Sequence, residues 1–441
     1  MFSKNLNKKF TLLHIVLIAV LGFSIYSNSL SGKFIWDDEF LVKDNLHIRS
    51  WANLPEIFIK DIGIGAGKGY HFYRPIQTAT YMLDYSLWKL NVAGYHFTNI
   101  LLHIFTAILI YWLLNILFTN KIISLSTSLL FVANPIHTEA VSYISGRADS
   151  LVAIFLLLSL ISYIRCINSQ KITEFVFCWI SYLLGILSKE YGFILPLLLL
   201  LYHFIFKIRL KIKKFLLLLT VLPVYVLLRF VTYGSLSVPP LIFKYTFFQR
   251  LTTLFAAFAE YIKLLFLPFD LHMEYGYKLF DIFSLKTILG LGIIILLLIW
   301  AVKEKKENKL ISFSIFWFFI TLLPQSNLYP INAYMAEHWL YLPSVGFFLM
   351  LCSGLNYFYR IKHLRIYVVV FSLCLLIGYS FLTFKQNIFW KDPISFYERT
   401  LKYAPNSSKV FLNLGKTYQL MDKDKYKEKV IELYEKAIRA D

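Results

Sequence analysis

Charged residues and cysteines are scarce in this chain. Asp, Glu, Lys and Arg make up only 16% of the 441 residues, whereas 58% of the residues are hydrophobic and 18% are aromatic. An average soluble domain has about 25% charged residues, so the composition excludes an ordinary water-soluble fold. The four cysteines, Cys166, Cys178, Cys352 and Cys374, lie in or beside apolar runs. They support neither a disulfide framework nor a CxxC metal site.

The chain also has fewer acidic than basic residues. It contains 26 Asp and Glu and 45 Lys and Arg, which gives a formal net charge of +19. In a nucleic-acid-binding protein such an excess gathers along one face. Here Lys and Arg form short clusters between apolar runs, a pattern typical of membrane topology. We therefore expect a membrane lipid environment and no nucleic-acid partner.

Apolar runs long enough to cross about 30 Å of hydrocarbon predict about 11 transmembrane helices. The runs cover residues 11–29, 96–118, 121–136, 148–168, 172–189, 191–206, 214–233, 284–302, 310–325, 339–358 and 366–384. The first run is long and lacks a clear small-residue cleavage site, so we expect a retained helix and not a removed signal peptide. The predicted fold class is an all-α polytopic membrane protein.

Alternate loops between these runs are rich in Lys and Arg, and basic loops are expected on the cytoplasmic side. The strongest clusters lie at 207–214, 303–309 and 360–365. This pattern predicts a cytoplasmic N-terminus and an extracytoplasmic C-terminus. Residues 74–90 and 250–268 are apolar but also charged, and we predict that both form amphipathic loop helices at the outer interface.

The composition becomes that of a soluble segment after residue 384. Positions with the helix-turn-helix spacing of one tetratricopeptide repeat follow at Phe411, Leu414, Gly415, Tyr418, Tyr434 and Ala437. We therefore predict a transmembrane domain at 1–384 and an extracytoplasmic tail at 385–441 that ends in a helical hairpin. Because one repeat cannot bury its faces alone, it either packs on the membrane domain or is followed by further repeats.

Polar and charged residues of the predicted outer face gather in five short segments. These are 36–39 (WDDE), 134–149 (NPIHTEAVSYISGRAD), 188–192 (SKEYG), 267–275 (LPFDLHMEY) and 336–339 (AEHW). Ionisable groups at the ends of apolar helices are costly unless they are paired, which makes them functional candidates. The alternative is structural: Arg147 would pair with its neighbour Asp149, and Lys189 with Glu190, at helix ends.

A metal site is a further alternative, because His137, Glu139, Asp149 and His338 are possible ligands. No HExxH or HxxxH spacing joins them, so a divalent metal is not favoured.

Several of these segments resemble one known family, the transmembrane and tetratricopeptide-repeat O-mannosyltransferases, which are membrane glycosyltransferases of the GT-C type. The shared motifs are WDDEF at 36–40, YRP at 73–75, NPIHTEAVSYISGRADSL at 134–151, SKEYG at 188–192 and AEHWLYLPSVGF at 336–347. The resemblance covers nearly the whole chain, and HTEAV followed by GRAD is its most specific part. The chain departs from the family pattern at His338, where an Arg is expected, and in having one repeat where relatives have several.

The resemblance implies an all-α GT-C fold and the transfer of a sugar, mannose in the family, from a polyprenyl-phosphate carrier to an acceptor hydroxyl on the extracytoplasmic face. It also implies that an acidic residue of the first outer loop is the catalytic base. This residue corresponds to Asp37, with Asp38 as the second candidate.

The chemistry of the polar segments agrees with that reaction. Asp37 would take the proton of an attacking Ser or Thr hydroxyl in one inverting displacement at the anomeric carbon. The leaving polyprenyl phosphate needs positive charge, for which the candidates are Arg147 and Lys189, with Arg74 in reserve. The candidates for contacts with the sugar or the acceptor are His137, Glu139, Asp149, Glu190, Glu337 and His338.

Two other classes of function stay open at this point. A transporter or flippase would use the same charged residues as an ion path, but it predicts ionisable residues near the bilayer midplane and inverted repeats, and the sequence shows neither. A membrane scaffold would present the repeat to a protein partner, but it does not explain five polar segments on one face.

Overall fold

The structure, a computed structural model, describes residues 2–233, 245–276, 278–331 and 333–440. Within these ranges the chain forms α-helices joined by short 3-10 and π turns, and it contains no β-strand. The α-helices are α1 (Phe2–Tyr26), α2 (Leu54–Ile57), α3 (Pro75–Trp88), α4 (Val92–Phe118), α5 (Lys121–Ala133), α6 (Thr138–Val141), α7 (Arg147–Ser169), α8 (Ile172–Ser188), α9 (Leu195–Phe206), α10 (Ile212–Leu219), α11 (Val221–Tyr233), α12 (Phe247–Phe266), α13 (Leu285–Glu304), α14 (Lys309–Leu322), α15 (Pro343–Tyr359), α16 (Arg365–Phe389), α17 (Pro393–Tyr403), α18 (Ser408–Met421) and α19 (Lys427–Ala440). The predicted all-α fold class is confirmed.

Six helical segments in the described ranges are long and apolar enough to cross a membrane. They are Thr11–Ser31, Val92–Phe118, Ile144–Ser169, Ile212–Tyr233, Leu285–Glu304 and Lys362–Phe389. Shorter apolar helices accompany them at Lys121–Ala133, Ile172–Ser188, Glu190–Phe206 and Lys309–Gln325. At about 1.5 Å per residue the shortest of these reaches only about 20 Å, so the number of crossings stays a prediction.

Several apolar helices are shorter than their runs because the chain breaks into 3-10 turns at one end of the bundle. Such turns lie at Pro135–His137, Glu190–Ile194, Leu323–Gln325 and Glu337–Leu340. Proline occupies the first or second position of several helices and turns at this end, including α9 and α15. Proline lacks the N–H that a continuing helix needs but is tolerated in a first turn. These turns contain most of the polar segments.

Basic loops meet at the opposite end of the bundle. Phe118, which ends α4, contacts Phe206, which ends α9, with ring centroids 5.7 Å apart. Lys305, directly after α13, lies over the Phe204 ring at 3.0 Å, and Arg165 of α7 lies 4.9 Å from the Trp112 ring. The bundle thus has a polar end and a basic end. Which of them faces the cytoplasm stays a prediction.

Both segments predicted as amphipathic loop helices are helical, as α3 and α12. The helix α12 packs on α13, with Phe255 against Gly290, and Phe258 stacks on Phe319 in the second half of α14 (ring centroids 5.4 Å apart). Phe266 contacts Phe347 near the start of α15 at 4.7 Å. These contacts all lie in the half of the bundle that leads to the polar end. Glu260, in the middle of α12, pairs with Lys286 at the start of α13.

The three C-terminal helices pack together and against the first loop. The helices α18 and α19 form a hairpin in which a Cβ atom on Gly415 would lie 2.6 Å from the Tyr434 ring. Val410, Leu414 and Tyr418 are buried in one apolar cluster with residues of α17 and of the loop after α1. The hairpin has the predicted helix-turn-helix form, and it packs on the rest of the protein. Its assignment as a tetratricopeptide repeat, and the domain boundary after residue 384, which falls inside α16, stay predictions.

The contact between α12 and α13 depends on Gly290, where a Cβ atom would overlap the backbone carbonyl of Phe255. A Cβ atom on Gly292, by contrast, would meet no atom within 4 Å. We expect Gly290→Ala to lower the free energy of unfolding by about 1–3 kcal/mol through overpacking, and Gly292→Ala to cause no loss. Thermal unfolding of both variants in detergent measures the difference. Equal melting temperatures would contradict this packing.

Candidate active site

A cavity of about 700 Å³ opens at the polar end of the bundle. Its walls come from the loop after α1, the start of α3, the turns before α7 and α9, and the 273–275 and 324–339 segments. Most of the predicted site residues line it, namely Asp37, Arg74, Glu139, Asp149, Lys189, Glu190 and His338. All five polar segments, although far apart in sequence, therefore contribute to one cavity.

Asp37 lies half-buried in the wall of this cavity. Its backbone N–H donates to the Tyr143 hydroxyl (3.2 Å), and the Tyr70 hydroxyl donates to its Oδ1 (3.3 Å). Removal from water raises the pKa of Asp37 above its ordinary value. Hydrogen bonds from the two tyrosines and the charges of Lys68 and Arg74 oppose that rise without cancelling it. The result is a carboxylate that is a stronger base than a free aspartate.

Trp36, the residue before Asp37, has a left-handed backbone conformation with φ of 56°. A bulky residue in this region is strained by on the order of 1–3 kcal/mol and needs surrounding contacts to hold it there. The indole packs against Phe396 and Tyr397 of α17, with ring centroids 6.3 and 5.9 Å away. The C-terminal tail thus holds the backbone turn that places Asp37 at the cavity.

Tyr143, which also contacts Asp37, packs on the tail too, with its ring 5.6 Å from that of Trp390. Two ion pairs connect the tail to the loop on either side of Asp37: Lys33 with Asp392 at 2.9 Å, and Lys416 with Glu39 at 3.3 Å. Exposed pairs of this kind contribute about 0–1 kcal/mol each. The aromatic contacts are therefore the main attachment of the tail to this loop.

Asp38 has a different environment from its neighbour and does not line the cavity. Its carboxyl group is buried, 1% exposed. Its Oδ1 accepts from the backbone N–H and the hydroxyl of Ser145, and its Oδ2 accepts from the N–H of Ile35. Burial raises the pKa of Asp38 to about 7. Both carboxyl oxygens of Asp38 accept hydrogen bonds inside the protein, so Asp38 is a structural anchor. We therefore withdraw it as the second candidate base.

Lys189 and Glu190 do not pair with each other. Lys189 pairs with Asp149 at 2.5 Å, whereas Glu190 pairs with Arg74 at 3.1 Å and with Arg229 at 3.7 Å. The reason is local: α8 ends at Ser188, and Lys189 has an extended backbone, in which successive side chains point to opposite sides.

Arg147 does not pair with Asp149 and does not reach the cavity. Its side chain is fully buried, and its guanidinium pairs with Asp84 of α3 at 2.6 Å. It also donates to the Asn99 side chain (3.0 Å) and to the Tyr95 carbonyl (3.3 Å). Because its charge is compensated inside the protein, we revise the prediction that Arg147 binds the donor phosphate.

His338, which replaces the expected Arg, contacts Glu139, with its Nδ1 2.7 Å from Oε1. Its neighbour Glu337 is buried away from the cavity and accepts hydrogen bonds from the Tyr275 hydroxyl and the His272 N–H. Burial and repulsion from Glu139 raise the pKa of Glu337 well above its usual range. Glu337 therefore positions the 272–275 loop. We withdraw it as a candidate contact with the sugar or the acceptor.

His137 is also buried away from the cavity. Its Nδ1 contacts the Phe131 carbonyl (2.7 Å) and its Nε2 contacts the Ser344 hydroxyl (3.0 Å), so the ring joins α5 to α15. We therefore revise the prediction that it contacts sugar or acceptor. In the described part of the chain no group of three His, Cys, Asp or Glu side chains lies close enough to hold a metal ion.

Sequence reasoning missed Asp84, Arg229 and the tyrosines beside Asp37. Asp84 and Arg229 had a usable signal, because each is the one charged residue of its helix. Tyr143 lay inside the predicted 134–149 segment but was not singled out, whereas Tyr70 and the tail residue Lys409 had no signal; all three line the cavity. Their relevance follows from contacts between distant segments.

Comparison with solved structures identifies the fold. The chain matches the crystal structure of ArnT from Cupriavidus metallidurans bound to undecaprenyl phosphate, with a TM-score of 0.50 and 13% identity, over 91% of this chain and 80% of that chain. It matches the Archaeoglobus fulgidus oligosaccharyltransferase tethered with an acceptor peptide, with a TM-score of 0.53 and 13% identity, over 92% and 59% of the two chains. Both are GT-C glycosyltransferases, and this chain has their polytopic membrane fold.

Sequence comparison finds relatives that are named for one reaction. The chain is 28% identical over 425 residues to the protein O-mannosyl-transferase F38B6.6 of Caenorhabditis elegans, covering 91% of this chain and 59% of the relative. The human protein O-mannosyl-transferase TMTC3 is 24% identical over 472 residues, covering 93% and 49%. The Xenopus laevis protein O-mannosyl-transferase tmtc2 is 35% identical over 168 residues, covering 37% and 20%. The resemblance to O-mannosyltransferases is thus confirmed.

The chain spans between 49% and 59% of the length of the two relatives that it matches almost throughout. No family model matches it.

The two neighbouring aspartates should differ in their effect on stability. Asp38→Asn would turn an amide N–H₂ toward a backbone N–H, leaving a buried donor unsatisfied at a cost of about 1–3 kcal/mol. Asp37→Asn keeps a polar group at the half-buried cavity wall, and we expect an unchanged melting temperature. Thermal unfolding in detergent compares the two variants. A loss of stability in Asp37→Asn as large as that in Asp38→Asn would contradict this division of roles.

Proposed function

We propose that this protein is an integral-membrane glycosyltransferase that moves a sugar, a hexose such as mannose, from a polyprenyl-phosphate carrier to a hydroxyl of a protein acceptor. The observation that carries the proposal is the carboxyl group of Asp37, which lies in one cavity with cationic side chains at the polar end of a GT-C fold. The names of the relatives, protein O-mannosyl-transferases, support this reaction over a transporter or a scaffold.

The proposed reaction is a single inverting displacement in which Asp37 is the base. As the acceptor oxygen forms its bond to the anomeric carbon, its proton passes to the Asp37 carboxylate. The bond from the anomeric carbon to the phosphate oxygen breaks, and the polyprenyl phosphate leaves with the electron pair. A Ser or Thr hydroxyl is a poor nucleophile at neutral pH, so a base with a raised pKa suits this task.

The departing phosphate needs positive charge. Our candidates for the primary contacts are Arg74, which lines the cavity, and Arg229, which does not line it but pairs with Glu190 of the cavity wall. These two guanidinium groups share the single carboxylate of Glu190, so the cluster keeps one uncompensated positive charge. Lys189 is balanced by Asp149 and is a secondary candidate. A guanidinium also matches the oxygens of a phosphate with two parallel hydrogen bonds. The neighbour that holds undecaprenyl phosphate supports a polyprenyl-phosphate donor.

Sugar hydroxyls are proposed to contact Glu139, Asp149 and His338, which line the same cavity. Carboxylate oxygens accept hydrogen bonds from hydroxyls in defined directions and can therefore distinguish one sugar epimer from another. Glu190 is held by two arginines, so its proposed role is to orient them and not to contact the sugar. The polyprenyl chain would remain in the bilayer between the helices.

The acceptor is proposed to enter between the first loop and the tail. Trp36 of the loop and Lys409 of α18 both line the cavity, so the tail forms part of its mouth. A solved neighbour that is tethered with an acceptor peptide supports a peptide acceptor. With the basic loops in the cytoplasm, the N-terminus is cytoplasmic and the tail is extracytoplasmic. Its hairpin, within residues 405–441, is proposed to bind a protein partner there through the faces that it does not bury against the rest of the protein.

Asp37→Asn should abolish transfer while leaving the binding of polyprenyl phosphate unchanged, because the amide cannot accept the hydroxyl proton. The assay is mass spectrometry of acceptor peptides incubated with purified protein and polyprenyl-phosphate mannose. In the wild type, the rate should also fall as the pH drops through the raised pKa of Asp37, since a protonated carboxyl group is no base. Glu39→Gln, in the same acidic run but outside the cavity, is the matched control. Undiminished transfer by Asp37→Asn would exclude Asp37 as the base.

Arg229→Gln should weaken donor binding by roughly ten- to hundredfold, the equivalent of losing one charge-assisted hydrogen bond of about 1.5–3 kcal/mol. Binding of polyprenyl phosphate to the protein in detergent, followed by calorimetry, measures this effect. Arg165→Gln removes the same charge at the basic end of the bundle and should bind as the wild type does. If the two variants bind equally well, Arg229 is not a phosphate contact.

A further inference from the structure

Two further cavities lie at the basic end of the bundle, away from the candidate active site. The larger is an apolar groove of about 360 Å³ between α5, α15 and α16. Its walls include Leu129, Leu355, Leu373 and Leu376. The groove follows from the way in which α16 is attached. At its start, α16 is held by Arg365, whose Nε donates to the Tyr359 carbonyl (3.3 Å). The other α16 side chains that donate hydrogen bonds to the rest of the protein lie in its second half, for example Thr383, which donates to the Ala133 carbonyl (2.6 Å), whereas the first half borders the groove.

A polar pocket of about 300 Å³ adjoins this groove and shares Ile123 and Asn356 with it. Ser353, Asn356 and Arg360 line the pocket and are spaced three and four residues apart, which places them on one side of the end of α15. In the described ranges, no Asp or Glu lines either cavity. Arg360 likewise forms no ion pair with any described residue. The pocket therefore has an uncompensated positive charge.

We propose that the groove and the polar pocket together bind one anionic glycerophospholipid. A mostly apolar groove that faces a bilayer offers water few hydrogen-bond partners, so a hydrocarbon chain is its natural occupant. The charge of Arg360 at the polar end selects a negative headgroup, and the adjacent basic residues Lys362 and Arg365 strengthen the attraction. Asn356, at the junction, provides an amide that hydrogen-bonds the lipid ester or phosphate region.

This lipid site is separate from the proposed donor site. The two lie at opposite ends of the bundle and share no lining residue. The proposal therefore does not depend on the reaction. An anionic lipid in this position would fill the space between α16 and the bundle, and it would stabilise the attachment of the helix that leads into the tail.

The test is a titration of the purified full chain in detergent with dioleoyl phosphatidylglycerol and dioleoyl phosphatidylcholine, with bound lipids counted by native mass spectrometry. We expect phosphatidylglycerol to bind more tightly. Arg360→Gln should weaken its binding roughly fivefold, the factor expected for one basic residue near a membrane surface, and leave phosphatidylcholine unchanged. Lys306→Gln removes an exposed lysine at the same end that lines neither cavity, and it should bind as the wild type does.

A second variant tests the groove without changing any charge. Ser372→Phe places a ring among the groove residues and should weaken the binding of both lipids. Equal affinity of the wild type for the two lipids would overturn the proposal, as would unchanged phosphatidylglycerol binding by Arg360→Gln. A third titration, with undecaprenyl phosphate, identifies the occupant. If Arg360→Gln weakens its binding more than that of phosphatidylglycerol, the site belongs to the carrier and the proposal fails.

Discussion

The buried ion pair between Arg147 and Asp84 is the contact on which the geometry of the cavity depends. The guanidinium also binds Asn99, whose amide donates to backbone carbonyls of the turn at 141–144. That turn includes the tyrosine that contacts Asp37. Breaking a buried pair costs about 3–5 kcal/mol, because it leaves an uncompensated charge inside the protein. The most specific motif of the sequence is therefore first of all a structural device that fixes the candidate base.

The same requirement for paired charges separates the structural ionisable residues from the functional ones. Arg147 is fully buried and fully compensated, so it has no free capacity for a ligand. Around Glu190, by contrast, two guanidinium groups face one carboxylate beside an open cavity. Where the protein leaves a charge incompletely neutralised at a cavity, a ligand of opposite charge can neutralise it. For this reason Arg74 and Arg229 are the residues proposed to contact the donor phosphate.

The C-terminal tail forms part of the wall of the candidate active site as well as part of the protein surface. Trp36 keeps a strained backbone, and the rings that hold it come from α17. Each aromatic contact contributes about 0.5–1.5 kcal/mol beyond its buried area, so two of them offset strain of the same order. The position of Asp37 is thus connected to the packing of the helical hairpin that follows α17. A partner that bound this hairpin would lie close to the candidate base.

The sequence by itself determined the all-α membrane fold and the separation of basic loops from polar segments, and it pointed to Asp37 as the candidate base. Hydropathy, charge clusters and motifs are local properties that can be read along the chain. Only the tertiary structure decided that Asp37 and not Asp38 faces the cavity, that Arg147 pairs with Asp84, and that Arg229 pairs with Glu190. The choice of an ion-pair partner and the burial of a side chain depend on which distant helices pack together, and no local pattern contains that information.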